Sequence, residues 1–171
     1  MRTISSERLV LEPQTVQHAE EMFPLLSDPA IYEYENAPPS SLDWLRERFE
    51  RLETRCSPDG TQHWLNWVIR VPDVGLAGYV QATVHPDRRA SIAYELASRF
   101  WGRGLASEAV RAMIPALVED YGVLRLYAAF KRANHRSQRL LERLGFTPAS
   151  PALHEALGVE PDEVLMVREA M

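Results

Sequence analysis

Arg99-Phe100-Trp101-Gly102-Arg103-Gly104-Leu105-Ala106-Ser107-Glu108-Ala109 is the stretch on which the reading of this chain turns. It joins a strand-like run, Ala90 to Leu96, to a run of helical periodicity that starts at Leu105. Gly102 and Gly104 permit a tight turn whose N–H groups point one way, and the following helix adds its unpaired N-terminal donors and its dipole. Small Ala106 and Ser107 leave the first helical turn open to a ligand, while Arg99 and Arg103 offer positive charge to a pyrophosphate. An anion cradle is the expectation. Two other phosphate-binding patterns are absent: Leu105 follows Gly104 where a phosphate-loop NTPase needs Lys, and Ser107 stands where a dinucleotide fold needs a third glycine.

Downstream of the cradle, the periodicity predicts a helix from Leu105 to Tyr121 closed by Gly122, a strand from Arg125 to Phe130, and a helix from Asn134 to Leu144 closed by Gly145. Pro115 falls inside the first of these helices and predicts a kink or a register shift there. Upstream, Trp64 to Val71, Leu76 to His85 and Ala90 to Leu96 are three strands of an antiparallel meander, separated by turns at Pro72-Asp73-Val74-Gly75 and Pro86-Asp87-Arg88-Arg89. Nearer the N-terminus lie a strand from Arg8 to Glu12 and a helix from Gln17 to Leu26. A second helix follows, capped by Ser40 or Ser41 and marked by Leu42, Leu45, Phe49 and Leu52. His154 to Glu169 is expected to supply one or two closing strands, centred on Val164 to Val167.

Composition bounds what such a chain can be. At 171 residues, 46% hydrophobic and 25% charged, it fits one globular domain spanning residues 1–171. Cys56 is the only cysteine, which excludes an intramolecular disulfide and argues against a cysteine-ligated zinc site. The five histidines lack metal-ligand spacing, so no metal is implied. No apolar run approaches ~18 residues, and a cytoplasmic protein with no membrane partner is expected. The net charge of −5 argues against a general nucleic-acid binder. That charge is segregated: from Arg99 to Arg143 there are nine Lys and Arg against four Asp and Glu, and elsewhere ten against twenty. A basic island in an acidic body coincides with the cradle.

The run Arg-Phe-Trp-Gly-Arg-Gly-Leu-Ala-Ser-Glu-Ala resembles the pyrophosphate loop of the GNAT N-acetyltransferases, whose pattern is Gln or Arg, two residues, Gly, one residue, then Gly or Ala; Arg99, Gly102 and Gly104 fill it. Ile92-Ala93-Tyr94-Glu95-Leu96 before it, Asn134-His135-Arg136-Ser137 and Leu140-Leu141-Glu142-Arg143-Leu144-Gly145-Phe146 after it, and the opening Ser6-Glu7-Arg8-Leu9-Val10-Leu11 are similar to the RimJ/RimL branch, which acetylates ribosomal-protein N-termini. The resemblance implies an α/β (α+β) fold: a central mixed, mostly antiparallel, twisted sheet of about six to seven strands with helices on both faces. It also implies acetyl-CoA as co-substrate, with Gly102, Arg103, Gly104, Leu105, Ala106 and Ser107 on the pyrophosphate beside Arg99. The backbone of Leu96, Ala97 and Ser98, together with Asn134, would lie along the pantetheine arm. Ser137 would donate to the departing sulfur in place of the tyrosine that many members use, and Tyr32, Tyr34 and Glu35 would border the acceptor cleft.

Physical chemistry supports some of these roles separately. A thiolate leaving group with a pKa near ~8.5 benefits from a positioned donor, and a serine at the start of a helix can supply one, although Asn134 and Ser137 also read as an ordinary cap and first-turn residue. The end of the Leu96 strand suggests an oxyanion stabiliser, if an interrupted ladder leaves a backbone N–H free. Glu95, just before that end, is a candidate general base or amine anchor, and also reads as a solvent-facing strand residue. His85 beside Pro86 reads as a turn residue, and Trp44, Trp64, Trp67 and Trp101 as packing or pocket lining. The expected reaction is direct attack of a neutral amine on the thioester in a ternary complex, without a covalent enzyme intermediate. The acceptor is a peptide or protein N-terminus or a small-molecule amine, with an α-amine preferred because it is partly neutral at physiological pH. The competing readings are a non-catalytic CoA-binding regulatory module and a protein-interaction domain. The sequence leaves monomer and homodimer both open.

Overall fold

The computed structural model describes all of residues 1–171. Eight strands form one mixed sheet in the order β1-β2-β3-β4-β5-β6-β8-β7. They are β1 (Ile4–Ser5), β2 (Val10–Pro13), β3 (His63–Val71), β4 (Gly75–Val84), β5 (Arg89–Leu96), β6 (Arg125–Lys131), β7 (Thr147–Pro148) and β8 (Glu163–Glu169). Only β5 and β6 pair in parallel; the other neighbours are antiparallel. The sheet is larger than expected because two-residue β1 and β7 each add a short edge. Two residues carry no readable period, so neither strand has a sequence signal of its own.

Helices α1 (Ala19–Leu26), α2 (Leu42–Leu52), α3 (Leu105–Tyr121), α4 (His135–Arg143) and α5 (Pro151–Ala156) complete the fold. α2 buries Leu45 and Phe49, and its first turn is capped by Ser41, whose hydroxyl accepts from the Trp44 N–H at 3.0 Å. α3 runs unbroken through Pro115. That residue lies on the exposed side of the helix, as does Arg111, whose carbonyl loses its partner to the missing N–H and is left to water. The expected closing strand is β8, which contains Val164 to Val167; the helix before it was not expected, α5 occupying Pro151–Ala156 with Ser150 as its cap and Pro151 as its first residue.

Central β3 is buried from Leu65 to Ile69 because helices cover the sheet on both sides. Thirty-seven buried residues form one core cluster. Trp67 is completely buried in it, with its indole N–H donating to the Arg2 carbonyl at 2.9 Å. No helix is long and apolar enough to cross a membrane.

Candidate active site

The sheet opens at one place. β5 and β6 are registered only at Arg89↔Arg125, Ala90↔Leu126 and Ser91↔Tyr127, after which they diverge. On the opposite edge, β5 stays paired with β4 through Gly78↔Leu96, and the Ala97 N–H reaches the Ala77 carbonyl at 3.0 Å. The expected interruption of the ladder therefore lies on the β6 side. Since odd-numbered residues of β5 bond to β4, the N–H and C=O of Leu96 point into the gap between β5 and β6. Neither group is idle. The Leu96 N–H donates to the Glu95 carboxylate at 3.2 Å, and the Leu96 carbonyl accepts from the Trp101 indole at 2.9 Å.

Gly78 makes this arrangement possible. A Cβ there would fall 2.0 Å from the Glu95 carbonyl oxygen and 2.8 Å from the Leu96 Cα, so only glycine lets β4 approach the end of β5 this closely.

At the outer end of the gap lies a cavity of about 800 Å³. The Gly102 to Ser107 turn supplies Gly102, Gly104, Leu105, Ala106 and Ser107 to it; Arg8, Arg111, Arg136, Arg139 and Arg143 supply charge. Gly102 and Gly104 both have φ of +75°, a backbone that side-chain-bearing residues rarely adopt. The N-terminus of α3 has no side-chain cap, whereas α2, α4 and α5 are capped by Ser41, Asn134 and Ser150. Its first N–H groups are thus left for an anion. The basic island divides here: Arg125 and Lys131 are paired with carboxylates of β8 and the loop before it, while Arg111, Arg136, Arg139 and Arg143 have no carboxylate partner.

Arg8 braces the turn. Its Nη1 donates to the Arg103 carbonyl at 2.8 Å, and its Nε meets the Glu108 carboxylate at 2.7 Å. Burial works against charge on Glu108. Hydrogen bonds from Ser6 and from the backbone and side chain of Arg8 outweigh it and hold the carboxyl below its usual range.

Further in, a narrow and mostly apolar cavity of about 120 Å³ lies between β5, β6 and α4. It shares Leu96, Trp101, Ala106, Arg136 and Leu140 with the basic cavity. Arg136 stacks on Trp101 at 3.4 Å from the ring centre and so lies on the rim between the two spaces. Tyr94 from β5 and Ser137 from α4 meet in this narrow cavity with their hydroxyl oxygens 2.6 Å apart. Burial pushes the Tyr94 phenol up to about 12, so it keeps its proton at neutral pH. Asn134 lines the same space while its side-chain oxygen caps α4 through the Ser137 N–H at 3.1 Å.

On the other face of the sheet, Gln14 just past β2, strands β3 to β5, α2 and the Tyr32 to Pro39 loop enclose a third cavity of about 320 Å³. Glu95 is the one residue that lines both this space and the narrow one. Burial raises its carboxyl to about 7, against the lowering influence of the Leu96 N–H and Arg136. A carboxyl balanced between its two forms at neutral pH can accept a proton there.

Of the residues singled out from sequence, Leu96, Gly102, Gly104, Leu105, Ala106 and Ser107 meet around the basic cavity. Glu95, Leu96, Ala106, Asn134 and Ser137 meet around the narrow one, with Tyr34 and Glu35. Tyr32 lines the third cavity, its hydroxyl donating to the Leu26 carbonyl at 2.5 Å. Ala97, Ser98, Arg99 and Arg103 line none of the three. The Ser98 N–H and hydroxyl are bound by Asp28 at 2.8 and 2.6 Å, and the Arg99 guanidinium lies over Phe100 at 4.9 Å. His85 sits at the far end of β4, tied to Ser91 at 3.1 Å, away from the cleft.

Sequence reasoning missed Arg8, Gly78 and Tyr94. Arg8 acts across about a hundred residues of chain, and the glycine's role depends on a cross-strand approach. For Tyr94 there was a signal, since alternation along β5 puts it on the face opposite Glu95.

A model of the GNAT acetyltransferase domain matches residues 8–147, so the chain belongs to the GNAT acetyltransferase family, whose members are acetyl-CoA-dependent acyltransferases. An uncharacterized N-acetyltransferase of Bacillus licheniformis, p20, is 28% identical over 149 residues, covering 85% of this chain and 83% of that one. Among solved structures, RimL, a ribosomal alpha-N-protein acetyltransferase in complex with coenzyme A, superposes with a TM-score of 0.81 at 18% identity over 98% of both chains. A microcin self-immunity acetyltransferase, MccE, in complex with acetyl-CoA and AMP, does so at 0.77 and 20% identity, over 96% of this chain and 93% of that one. At those identities the likeness is one of fold.

Proposed function

We propose that residues 1–171 act as one catalytic unit that transfers the acetyl group of acetyl-CoA to a primary amine within a ternary complex. One observation carries the reading: a basic cavity, a narrow apolar passage and a separate polar cavity follow one another, and Glu95 stands where the last two meet. Structures of RimL with coenzyme A and of MccE with acetyl-CoA lend the same fold to that ligand. The residues present suit it. Left-handed Gly102 and Gly104, the uncapped start of α3 and the unpaired arginines fit phosphates, and the narrow apolar passage fits a slender acyl-bearing arm.

Acetyl-CoA supplies an activated acyl group, and the chain supplies orientation and proton handling. The Leu96 N–H polarises the thioester carbonyl by exchanging the Glu95 carboxylate for the substrate oxygen. That exchange also readies the base, because losing the Leu96 hydrogen bond removes a contact that lowers the proton affinity of Glu95. The amine nitrogen bonds to the carbonyl carbon and gives up a proton to Glu95. As the carbon–sulfur bond breaks, the Tyr94–Ser137 hydroxyl pair delivers a proton to the sulfur and regains one from water, while Glu95 passes the amine's proton to water. Asn134 holds Ser137 in register by capping α4.

Initial-rate measurement of free thiol release with acetyl-CoA and a broad amine panel tests the proposal. Intersecting double-reciprocal lines and an acetylated amine product are expected. Tight acetyl-CoA binding with no turnover on any amine would instead identify a CoA-binding regulatory module.

A further inference from the structure

The polar cavity beside Glu95 carries one charge of each sign. Glu95 is the only carboxylate on its lining, and Arg48 the only cation. Arg48, on the exposed face of α2, has no carboxylate partner and leans towards the Trp44 ring at 5.8 Å. Three carboxamides on the same lining stand side by side, from Gln14 just past β2, Asn66 of β3 and Gln81 of β4. The Gln14 N–H donates to the Asn66 carbonyl at 2.9 Å, and Asn66 is registered with Gln81. Gln14 is only 4% exposed, yet its side-chain NH₂ has no acceptor in the protein. Such an orphan is rare in native interiors and calls for a partner. Asn66, 6% exposed, reaches only the Trp64 carbonyl, at a long 3.5 Å.

A single carboxylate, a single cation and the orphaned amide of Gln14 on the lining of one cavity suit a dipolar ligand. Resting on the acetyltransferase reading above, we propose that the acceptor is a small amine that also carries a carboxylate, with the amine at Glu95 and the carboxylate taken by Arg48 and Gln14. Spacing narrows the class. β4 and β3 lie between the strand of Glu95 and that of Gln14, which puts those backbones on the order of 14 Å apart. Side chains close part of that gap, so several bonds separate the two charges. An ω-amino acid or a dipeptide meets this spacing, whereas in a free α-amino acid both charges flank one carbon.

The test is a series of ω-amino acids of increasing chain length, glycine upward, each beside its ω-amino amide and the alkylamine of equal length, with dipeptides added. Rates are read as kcat/KM at saturating acetyl-CoA. The expected result is a preference for the acid over both neutral partners of about tenfold or more at the best length, and little preference at glycine. Arg48→Met, on an exposed helix face, and Gln14→Leu should each shrink that ratio while acetyl-CoA affinity, which uses the other cavities, reports an intact fold. Equal handling of acid, amide and alkylamine at every length, or a ratio unmoved in Arg48→Met, would overturn the proposal while leaving the acetyltransferase reading standing. Absence of thiol release with every amine would count against that reading itself. The substrate class is then decided by binding, titrated through Trp44 fluorescence in the presence of CoA: tighter binding of the acids supports it, and binding no tighter than the alkylamines overturns it.

Discussion

In the proposed reaction Glu95 is a base poised by burial, and its titration carries a stability consequence as well as a kinetic one. Its folded pKa of about 7 lies above that of an unfolded glutamate. Such a group contributes most below the unfolded value, and the contribution is lost as pH rises through about 7. Glu95→Gln, which never ionises, should therefore gain stability over the wild type as pH rises from about 4.5 towards neutrality, by no more than about 3 kcal/mol. Thermal melts of both proteins across that range check this; parallel Tm curves would show that Glu95 is not held in a charge-averse site. Tyr94 and Ser137 make a second residue-scale prediction. Their hydroxyls share one contact, so Ser137→Ala and Tyr94→Phe should each lower kcat by about tenfold or more with little change in acetyl-CoA affinity. The double variant should fall short of the product of the two effects. Wild-type turnover in Ser137→Ala, with chemistry rate-limiting, would remove the serine from the proton path.

Two turns decide how the elements present these residues. Gly104 caps α3 in the left-handed region, where any side chain is strained, and a Cβ would sit 3.5 Å from Arg8 Nη2. Gly104→Asp adds a carboxylate that competes with the ligand for the arginines of the cavity. Acetyl-CoA at about a hundredfold excess over Kd should raise the wild-type Tm by roughly 5–10 °C and leave the folded variant unmoved. An equal rise in both would sink the cradle assignment. Gly78→Ala tests the β4–β5 approach. The backbone must give way by more than a neighbour can absorb, so a loss of about 1–3 kcal/mol is expected. kcat should fall as well, because Glu95 and Leu96 are displaced together. A stable, fully active Gly78→Ala protein would show that the close approach is dispensable.

Across the whole molecule, legibility followed the range of the forces involved. The meander from His63 to Leu96, the amphipathic helices and the glycine turn before α3 are written in short-range period and turn chemistry, and the structure has them. α5 and the short edge strands were lost because six residues or two carry too little pattern to outweigh their context. The candidate site divides the same way. Ser137, Asn134 and the glycines sit in local motifs, whereas the Tyr94–Ser137 contact, the Arg8 brace and the orphaned Gln14 amide are made by residues distant in sequence. Even Glu95, legible as a candidate, owes its raised pKa to burial that only the assembled sheet and its helices supply.

In the proposed reaction Glu95 takes the proton of the attacking amine. The pH dependence of kcat at saturating acetyl-CoA, compared between wild type and Glu95→Gln, checks that role. The acceptor should be an amine that ionises below about pH 6, so that its own titration stays outside the window. The wild type should show a rising limb with an apparent pKa near 7. In Glu95→Gln that limb should be gone and kcat lower by about a hundredfold or more. An unchanged limb at a near-wild-type rate in the variant would contradict it.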